Sequence, residues 1–580
     1  MTPGRSSKRN GRSAKSARSG ASARKRPDAG ATRRAVGPSA TTLSWALSWR
    51  LAVQIVMGTL AFWLLLGYAR PWPVVLVPVV VGIFSTVVAR ERTEALVVVI
   101  ASTVAGMALS YASYESAVVL DLLNHMPVYA NQDVVTSLYR DVVLPLMVNN
   151  PVNTGLGGAA GGFALVAVEA VVGAGMVLAL FQIPTVWPRL KATSVRSVSA
   201  YVCVGLLAAS FVFTAWSVTP NLRQTLSTDP VAEQYAFDPV TYLKVYYGML
   251  EGKSYYDAII PAALGDARIS EGPGGILDGK FDGDWGGSPW TIRQPEVFYL
   301  WRVIAPGGGA TILGASILLT AALLVLTSLT LFRTLSYRAL FCPMVLFPGL
   351  LLHTTWLNVL HPDWWATLAL MFSMLLALRR RWLWAGVLGL VAALFREVLA
   401  AWLVLLIAAA AWDCLSTRRW ARDLAPLAAL LVVFGIAFAL HLSAAAQLIH
   451  PDRLNSSVGF VRTYAGRIGL TFAQKNTLAT SSYLAFPYGS FRFPAILLMP
   501  IGVAGFVVAF RRRVPSLLVT GGWVLFWLVE YVVVGTTSSY WGMHVMLMAY
   551  LGCALLAVGL LGTAPPEAAG APARPFNDSK

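Results

Sequence analysis

Long apolar runs alternate with short polar connections along most of the chain. A spanning α-helix needs about 20 consecutive apolar residues, and runs of this kind predict about 12 to 14 transmembrane helices. The pattern therefore predicts an all-α polytopic membrane protein. The predicted segments lie near residues 45–68, 72–89, 95–113, 158–182, 199–217, 308–332, 338–352, 364–378, 382–395, 398–412, 424–447, 493–510, 516–534 and 543–562.

Composition agrees with this pattern and explains the high charge. The 580 residues are 57% hydrophobic and 12% charged, whereas about a quarter of the residues of a soluble domain are charged. Much of the net charge of +18 comes from residues 1–42, which hold eleven Lys or Arg and one acidic residue, Asp28. This Ser-, Gly- and Ala-rich segment has no apolar period, so we predict a disordered basic tail beside anionic lipid, in preference to a nucleic-acid-binding arm.

Basic residues in the short connections predict the orientation. If every segment crosses the membrane, six basic connections lie on the side of the N-terminal tail, and positive charge in short connections favours the cytoplasm. We therefore predict a multi-pass protein of the cytoplasmic membrane with both termini in the cytoplasm, including a disordered C-terminal tail at 563–580. The six connections hold Arg90 and Arg92; Arg189, Lys191 and Arg196; Arg333 and Arg338; Arg379 to Arg381; Arg418, Arg419 and Arg422; and Arg511 to Arg513.

Two long polar intervals fall on the opposite, extracytoplasmic side of this predicted topology. Residues 218–305 hold eleven Asp or Glu and seven Lys or Arg, and a loop of this length needs structure of its own or a function. Residues 448–492 hold five Lys or Arg against Asp452. Part of this second loop is typical of an interfacial amphipathic helix, which would suit a lipid-phosphate ligand or serve only as an anchor.

The sequence gives little support for a metal or a disulfide framework. Its four Cys lie in or beside apolar segments without CxxC spacing. Asp282 and Asp284 are able to bind a divalent cation, but two carboxylates two positions apart are a weak signal beside solvated turn residues. We predict no cofactor. The cysteines are Cys203, Cys342, Cys414 and Cys553.

Four stretches of the chain together resemble a known superfamily. They read "AFDPVTYLKVYYGMLEGKSYYDA", "WTIRQPEVFYLWRVI", "HPDWWATLALMFSMLLALRRRWLWAGVLGLVAALFREVLAAWLVLL" and "TTSSYWGMHVMLMAYLGCALL". In order and sidedness they resemble the bacterial GT-C membrane glycosyltransferases that use polyprenyl-phosphate sugars and are similar to dolichyl-phosphate-mannose-dependent enzymes. The resemblance covers residues 197–562 and implies a GT-C-like domain with a large first outer loop. Residues 43–196 fall outside it and would form an accessory transmembrane region.

The resemblance and the chemistry of glycosyl transfer both require a carboxylate base and cationic side chains. In this superfamily an acidic residue that opens the first outer loop is the catalytic base, which implies Asp238; the alternative is a first-turn residue favoured by the helix dipole. Glycosyl transfer from a lipid phosphate needs a base for the acceptor hydroxyl and cations for the departing phosphate. A guanidinium matches two phosphate oxygens, so Arg293 and Arg396 are the candidates, with interfacial anchoring as the alternative for Arg293.

Other polar residues lie at predicted helix ends on the same side. Arg396 is expected to face a polar cavity, with Glu397 pairing with it or orienting it. Tyr242 shares a helix face with Tyr246 and Met249, a pattern more typical of packing than of sugar contact. A sugar pocket would be lined by His361, Asp363, Tyr540 and His544 and stacked by Trp364, Trp365 and Trp541, the alternative for the Trp being an interfacial aromatic belt.

The sequence therefore predicts an inverting glycosyltransferase that transfers a sugar from a polyprenyl-phosphate donor to an acceptor outside the cytoplasm. The sequence identifies neither the sugar nor the acceptor, which is a polysaccharide, a lipid or a protein. The main alternative is a transporter or flippase of lipid-linked sugars, which should place ionisable groups near the centre of the bilayer. A catalytically inactive scaffold of the same fold is a third interpretation.

Overall fold

A computed structural model describes most of the apolar part of the chain. Residues 49–580 form one compact unit; residues 1–48 form another, of which only 40–48, the start of the first helix, are described. The predicted tail 563–580, loop residues 452–492 and nearly all of the basic tail lie outside the described residues. The described residues are 40–69, 72–119, 159–220, 223, 226, 238–264, 276–277, 280–281, 292–355, 357–417, 423–451, 495–533 and 542–561.

The elements run in the following order. The N-terminal part contains α1 (Ala40–Tyr68), α2 (Pro73–Val88), α3 (Arg92–Val119), α4 (Ala159–Val186) and α5 (Ala192–Ser217). The polar interval contains α6 (Asp238–Leu250), α7 (Tyr255–Leu264), the antiparallel pair β1 (Ile276–Leu277) and β2 (Lys280–Phe281), and α8 (Glu296–Ile304). The rest contains α9 (Gly309–Thr334), α10 (Phe341–Thr355), α11 (Pro362–Leu378), α12 (Trp382–Phe395), α13 (Ala400–Thr417), α14 (Leu424–Ala446), α15 (Ala495–Phe510), α16 (Val514–Leu517), α17 (Trp523–Val533) and α18 (Met543–Leu560).

The helices confirm an all-α polytopic membrane protein. Eight of the described helices are long and apolar enough to cross a membrane, and six further apolar helical segments are shorter. Each of the fourteen segments predicted from hydropathy overlaps one of these. Two segments contain breaks: the 3₁₀ turn Glu397–Leu399 precedes α13, and the π-helical turn Leu518–Gly522 joins α16 to α17.

Small residues let the helices approach closely. A Cβ on Gly82 of α2 would lie 2.8 Å from the carbonyl oxygen of Gly173 in α4, and one on Gly502 of α15 would lie 2.9 Å from that of Ala549 in α18. Neither glycine can therefore be enlarged without moving a backbone. Close packing through small residues is a main source of helix association in lipid, where the hydrophobic effect between helices is weak.

The elements of the polar interval pack onto the membrane helices. The face of α6 that carries Tyr242, Tyr246 and Met249 is buried, which confirms the packing interpretation of that pattern. Backbone hydrogen bonds join Phe281 of β2 to the end of α14: its N–H donates to the Leu448 carbonyl at 2.9 Å, and its own carbonyl accepts from the N–H of His450 at 2.9 Å. The described elements of the interval therefore form a layer on one end of the bundle.

The other end of the bundle is basic, and we call it the arginine end. Arg50 donates to the Val88 carbonyl at 3.3 Å, Arg196 to the Arg90 carbonyl at 3.1 Å, and Arg338 to the Leu561 carbonyl at 3.0 Å. These carbonyls lie at or just beyond helix C-termini, where cations offset the helix dipole. The connections that hold Arg90, Arg196 and Arg338 therefore share one end, as the predicted topology requires, and the compartment that this end faces stays a prediction.

Candidate active site

The start of α11 places the central residue of the site. Pro362 occupies the first helical position, where its fixed φ and missing N–H are no disadvantage. Asp363 lies in the first turn, where the helix dipole favours a carboxylate. The sequence His-Pro-Asp therefore begins a helix at this point, and it leaves the Asp363 side chain fully buried.

Asp363 is held by three cationic or imidazole groups. Its Oδ1 lies 2.7 Å from Arg396 Nε and 2.9 Å from His544 Nε2, and its Oδ2 lies 3.1 Å from His361 Nδ1. A carboxylate buried without partners would be strongly unfavourable, so these contacts make a buried Asp363 possible. They also join α11, the α12–α13 break and α18 at one end of the bundle, which we call the Asp363 end.

A helix break directs Arg396 toward Asp363. The backbone of Arg396 is extended, with φ −147° and ψ 111°, between α12 and the following 3₁₀ turn. The Arg396 side chain has no exposed surface, so the expectation that it faces a polar cavity is wrong in this structure. Arg396 forms an ion pair with Asp363, and the ion pairs among the described residues do not include one between Arg396 and its neighbour Glu397. Glu397 is half-buried and close enough to His441 and His544 to act on both electrostatically.

His544 links α18 to α11 through two contacts. In addition to its contact with Asp363, its Nδ1 lies 3.0 Å from Thr367 Oγ1, one turn further along α11. The His544 backbone carbonyl accepts a hydrogen bond from Trp523 Nε1 at 2.9 Å. The imidazole therefore occupies a fixed position between two helices, with both ring nitrogens in hydrogen-bond contact.

The network extends into the polar layer through Tyr242. Arg293 Nε donates to the Tyr242 hydroxyl at 3.1 Å, and the Tyr242 ring stands edge-on to the His361 ring, with centroids 5.6 Å apart. Tyr255 in turn donates to the Arg293 carbonyl at 2.5 Å. The contacts bring together six of the residues singled out from the sequence: Tyr242, Arg293, His361, Asp363, Arg396 and His544.

Sequence reasoning missed two groups beside this network. Glu296 begins α8, and burial raises the pKa of its carboxyl to about 7. His441 in α14 lies 2.9 Å from the Tyr256 hydroxyl through Nδ1 and 3.0 Å from the Ile292 carbonyl through Nε2. In the sequence, Glu296 is an ordinary acidic first-turn residue after a proline, and His441 is a lone histidine in an apolar helix. Neither position therefore has a local sequence pattern that indicates a functional site.

The predicted stacking role of Trp364 and Trp365 is wrong. Both rings are fully buried: Trp364 Nε1 donates to Ser316 Oγ at 2.9 Å, and Trp365 Nε1 donates to the Val359 carbonyl at 2.8 Å. The aromatic-belt alternative is wrong for the same reason, because a belt residue would reach the lipid surface. These two tryptophans are core residues whose polar edges are satisfied inside the bundle.

Some predicted site residues are not described. The helix that the sequence predicts at Asp238 does begin there, but the structure describes nothing of that side chain. Tyr540, Trp541, Asp282 and Asp284 also lie outside the described residues. Within the described ranges, no group of three His, Cys, Asp or Glu side chains is arranged to hold a metal ion.

Known proteins do not identify this chain. No family model, curated protein or solved structure matches it. We therefore argue its function from the chemistry of the network and from the resemblance of its four sequence stretches.

Proposed function

We propose that the protein is a GT-C-type membrane glycosyltransferase that transfers a sugar from a polyprenyl phosphate to an acceptor on the extracytoplasmic side. One observation carries the proposal: six residues drawn from four separate stretches of sequence join one network at one end of the bundle. In this proposal that end faces the outside of the cell. The arginine end faces the cytoplasm, in keeping with the positive-inside rule.

The reaction assigns a role to each group. The acceptor hydroxyl oxygen attacks the anomeric carbon, the bond from that carbon to the phosphate oxygen breaks, and the phosphate leaves with the lipid. A carboxylate takes the hydroxyl proton, and cations stabilise the charge that grows on the phosphate. We assign the base role to Asp238 and the phosphate roles to Arg396 and Arg293.

The position of Asp238 in the chain supports this assignment. It begins α6, one helical turn before Tyr242, and residues four apart lie on the same side of a helix. Tyr242 contacts both Arg293 and His361. The backbone of Asp238 is therefore one turn from the network that holds the proposed phosphate-binding arginines.

Asp363 acts as a positioning residue in this scheme. Its carboxylate lies 2.7 Å from Arg396 Nε, and in this scheme the ion pair holds the guanidinium at this end of the bundle. Because Asp363 and Arg396 have no exposed surface, we assign this arrangement to a closed form in the proposed cycle. Donor binding in the proposed cycle therefore requires the layer that carries Tyr242 and Arg293 to move away from His361.

One observation favours a second function, the transport of lipid-linked sugars. Glu169 of α4 is fully buried, and neither of its carboxyl oxygens has a hydrogen-bond partner among the residues that the structure describes. An ionisable residue inside a membrane helix is a functional candidate by default. A carboxyl at this position would suit proton-coupled movement of a substrate.

Reconstitution distinguishes the two functions. The purified protein would be placed in liposomes with a panel of radiolabelled polyprenyl-phosphate sugars and crude acceptor membranes. A glycosyltransferase consumes one donor and forms labelled product, Arg396→Ala abolishes this, and the control Arg511→Ala at the arginine end does not. Movement of intact donor between leaflets without product would contradict the proposal and support the transporter.

A further inference from the structure

An open cleft lies at the arginine end, beyond the last turn of α11. It has a volume of about 520 Å³ and is lined by Arg333, Leu376, Arg379, Arg381 and Trp384. Three of these five side chains are cationic, and none of the described residues that line the cleft is acidic. The α-helical rise of 1.5 Å per residue places this cleft about 25 Å from Asp363 along α11.

The turn between α11 and α12 has a definite geometry. The N–H of Arg381 donates to the Leu376 carbonyl at 2.9 Å and that of Arg380 to the Ala377 carbonyl at 2.8 Å, the pattern of a Schellman motif. This motif needs a left-handed residue, a position usually taken by glycine. Here Arg380 is the left-handed residue, with φ 57°.

An ion pair explains how an arginine is held in that position. Arg380 Nη1 lies 3.3 Å from Asp413 Oδ1, and Trp382 Nε1 donates to Asp413 Oδ2 at 3.2 Å. The Asp413 carboxylate is therefore engaged by Arg380 and Trp382. Arg379 and Arg381, on either side of the strained residue, line the cleft with Arg333.

The charges in the cleft are not balanced by the described residues around it. Burial and the nearby charge of Arg333 lower the pKa of Arg379. Its Nε is buried without a hydrogen-bond partner among the described residues. A bound anion would supply that partner and relieve the repulsion between the guanidinium groups, and guanidinium forks match phosphate oxygens.

The apolar surroundings indicate a lipid as the source of the anion. Trp384 is 63% exposed and Leu383 is 38% exposed, and both lie in the first turn of an apolar helix. Exposed tryptophans are enriched at the membrane–water interface, and cations there attract anionic headgroups. We propose that this cleft binds the phosphate headgroup of an anionic membrane phospholipid, with the acyl chains along Trp384 and Leu383.

Native mass spectrometry of the full chain in detergent tests this proposal, with phosphatidylglycerol as the probe and phosphatidylcholine as the zwitterionic comparison. The test variant is Arg333→Gln/Arg379→Gln/Arg381→Gln. The matched control, Arg511→Gln/Arg512→Gln/Arg513→Gln, removes three exposed arginines from another connection predicted to lie on the same side. The wild type should retain one tightly bound phosphatidylglycerol, and the test variant should bind it on the order of 10²-fold more weakly, since each cation beside a headgroup contributes roughly a factor of five.

The control variant should bind phosphatidylglycerol within about twofold of the wild type. Equal loss in the two triple variants would overturn the proposal, because it would mean general attraction to a basic surface. Equal binding of phosphatidylcholine would also overturn it. If the triple variant does not fold, the single change Arg381→Glu at an exposed position replaces it, with a weakening of roughly 25-fold expected because the reversal changes the local charge by two.

Discussion

The two ends of helix α11 hold their charges in opposite ways. At the Asp363 end, a carboxylate, a guanidinium and two imidazoles are buried together at distances of 2.7 to 3.1 Å. At the arginine end, Arg333, Arg379 and Arg381 share an open cleft without an acidic residue among those described. The difference indicates two uses of charge, since buried partners fix a geometry in advance and unbalanced cations attract a ligand from outside.

The largest combined effect on stability and transfer is expected from Asp363→Asn. The change keeps the size of the side chain but leaves Arg396 buried beside a neutral group. Breaking one partner of a buried ion pair costs about 3–5 kcal/mol, and the proposed oxyanion donor also loses its orientation. We expect a clear fall in the midpoint of thermal unfolding and a loss of transfer of about 10²-fold or more. Near wild-type values for both would show that the Asp363 network has no special role.

A double substitution separates stability from function. Replacing a buried ion pair by apolar residues of similar volume is often neutral or stabilising. Asp363→Leu/Arg396→Met should therefore recover most of the stability lost in Arg396→Met alone, while transfer stays undetectable. As a control, a second double-mutant cycle combines Arg396→Met with Glu397→Gln. We expect a smaller coupling energy between Arg396 and Glu397 than between Arg396 and Asp363. Recovery of transfer in either double variant would contradict a phosphate role for Arg396.

Much of the Asp363 end was predictable from particular residues. The apolar segments that become α11 and α12 are joined by three arginines, so they must run antiparallel, and the start of one must meet the end of the other. This places His361 and Asp363 near Arg396, and Pro362 marks the helix start. The same reasoning applies to the arginine end, where the connections that hold Arg90, Arg196 and Arg338 lie together as the positive-inside rule requires.

Details that depend on neighbouring helices were not predictable. The extended backbone at Arg396 directs its side chain to α11, whereas chain proximity suggested Glu397. Trp364 and Trp365 were expected at a surface, but α11 packs inside the bundle and buries both. Which face of a uniformly apolar helix meets protein or lipid cannot be obtained from periodicity, because both environments select the same residues.

Glu169 differs from both ends of α11, because it is a buried carboxyl without a hydrogen-bond partner among the described residues. If partners rather than burial determine the cost of a substitution, Glu169→Gln should change stability by less than about 1 kcal/mol and leave transfer within a few-fold of wild type. Thermal unfolding and transfer assays beside Asp363→Asn would measure both. Loss of the movement of intact donor between leaflets in a stable Glu169→Gln protein would instead favour the transporter.

The smallest effect concerns pH and the carboxyl of Glu296. Burial raises its pKa from 4.5 to about 7, so between those values the folded protein holds a proton that the unfolded chain has released. The stability contributed by this group is therefore fully present at low pH and is lost as the pH rises toward 7. Glu296→Gln should flatten the fall of the unfolding midpoint over that window. If the unfolding midpoints of the wild type and Glu296→Gln fall in parallel between pH 4.5 and about 7, Glu296 does not titrate in that window.

The central claim is that the Asp363 end carries out glycosyl transfer with Asp238 as the base. The most direct test measures donor binding and single-turnover transfer in the same preparation of Asp238→Asn, with radiolabelled polyprenyl-phosphate sugar as the probe. We predict donor binding within a few-fold of wild type and no detectable transfer, because the amide keeps the size of the carboxylate but cannot accept the hydroxyl proton. Transfer near the wild-type rate in that variant would contradict the claim.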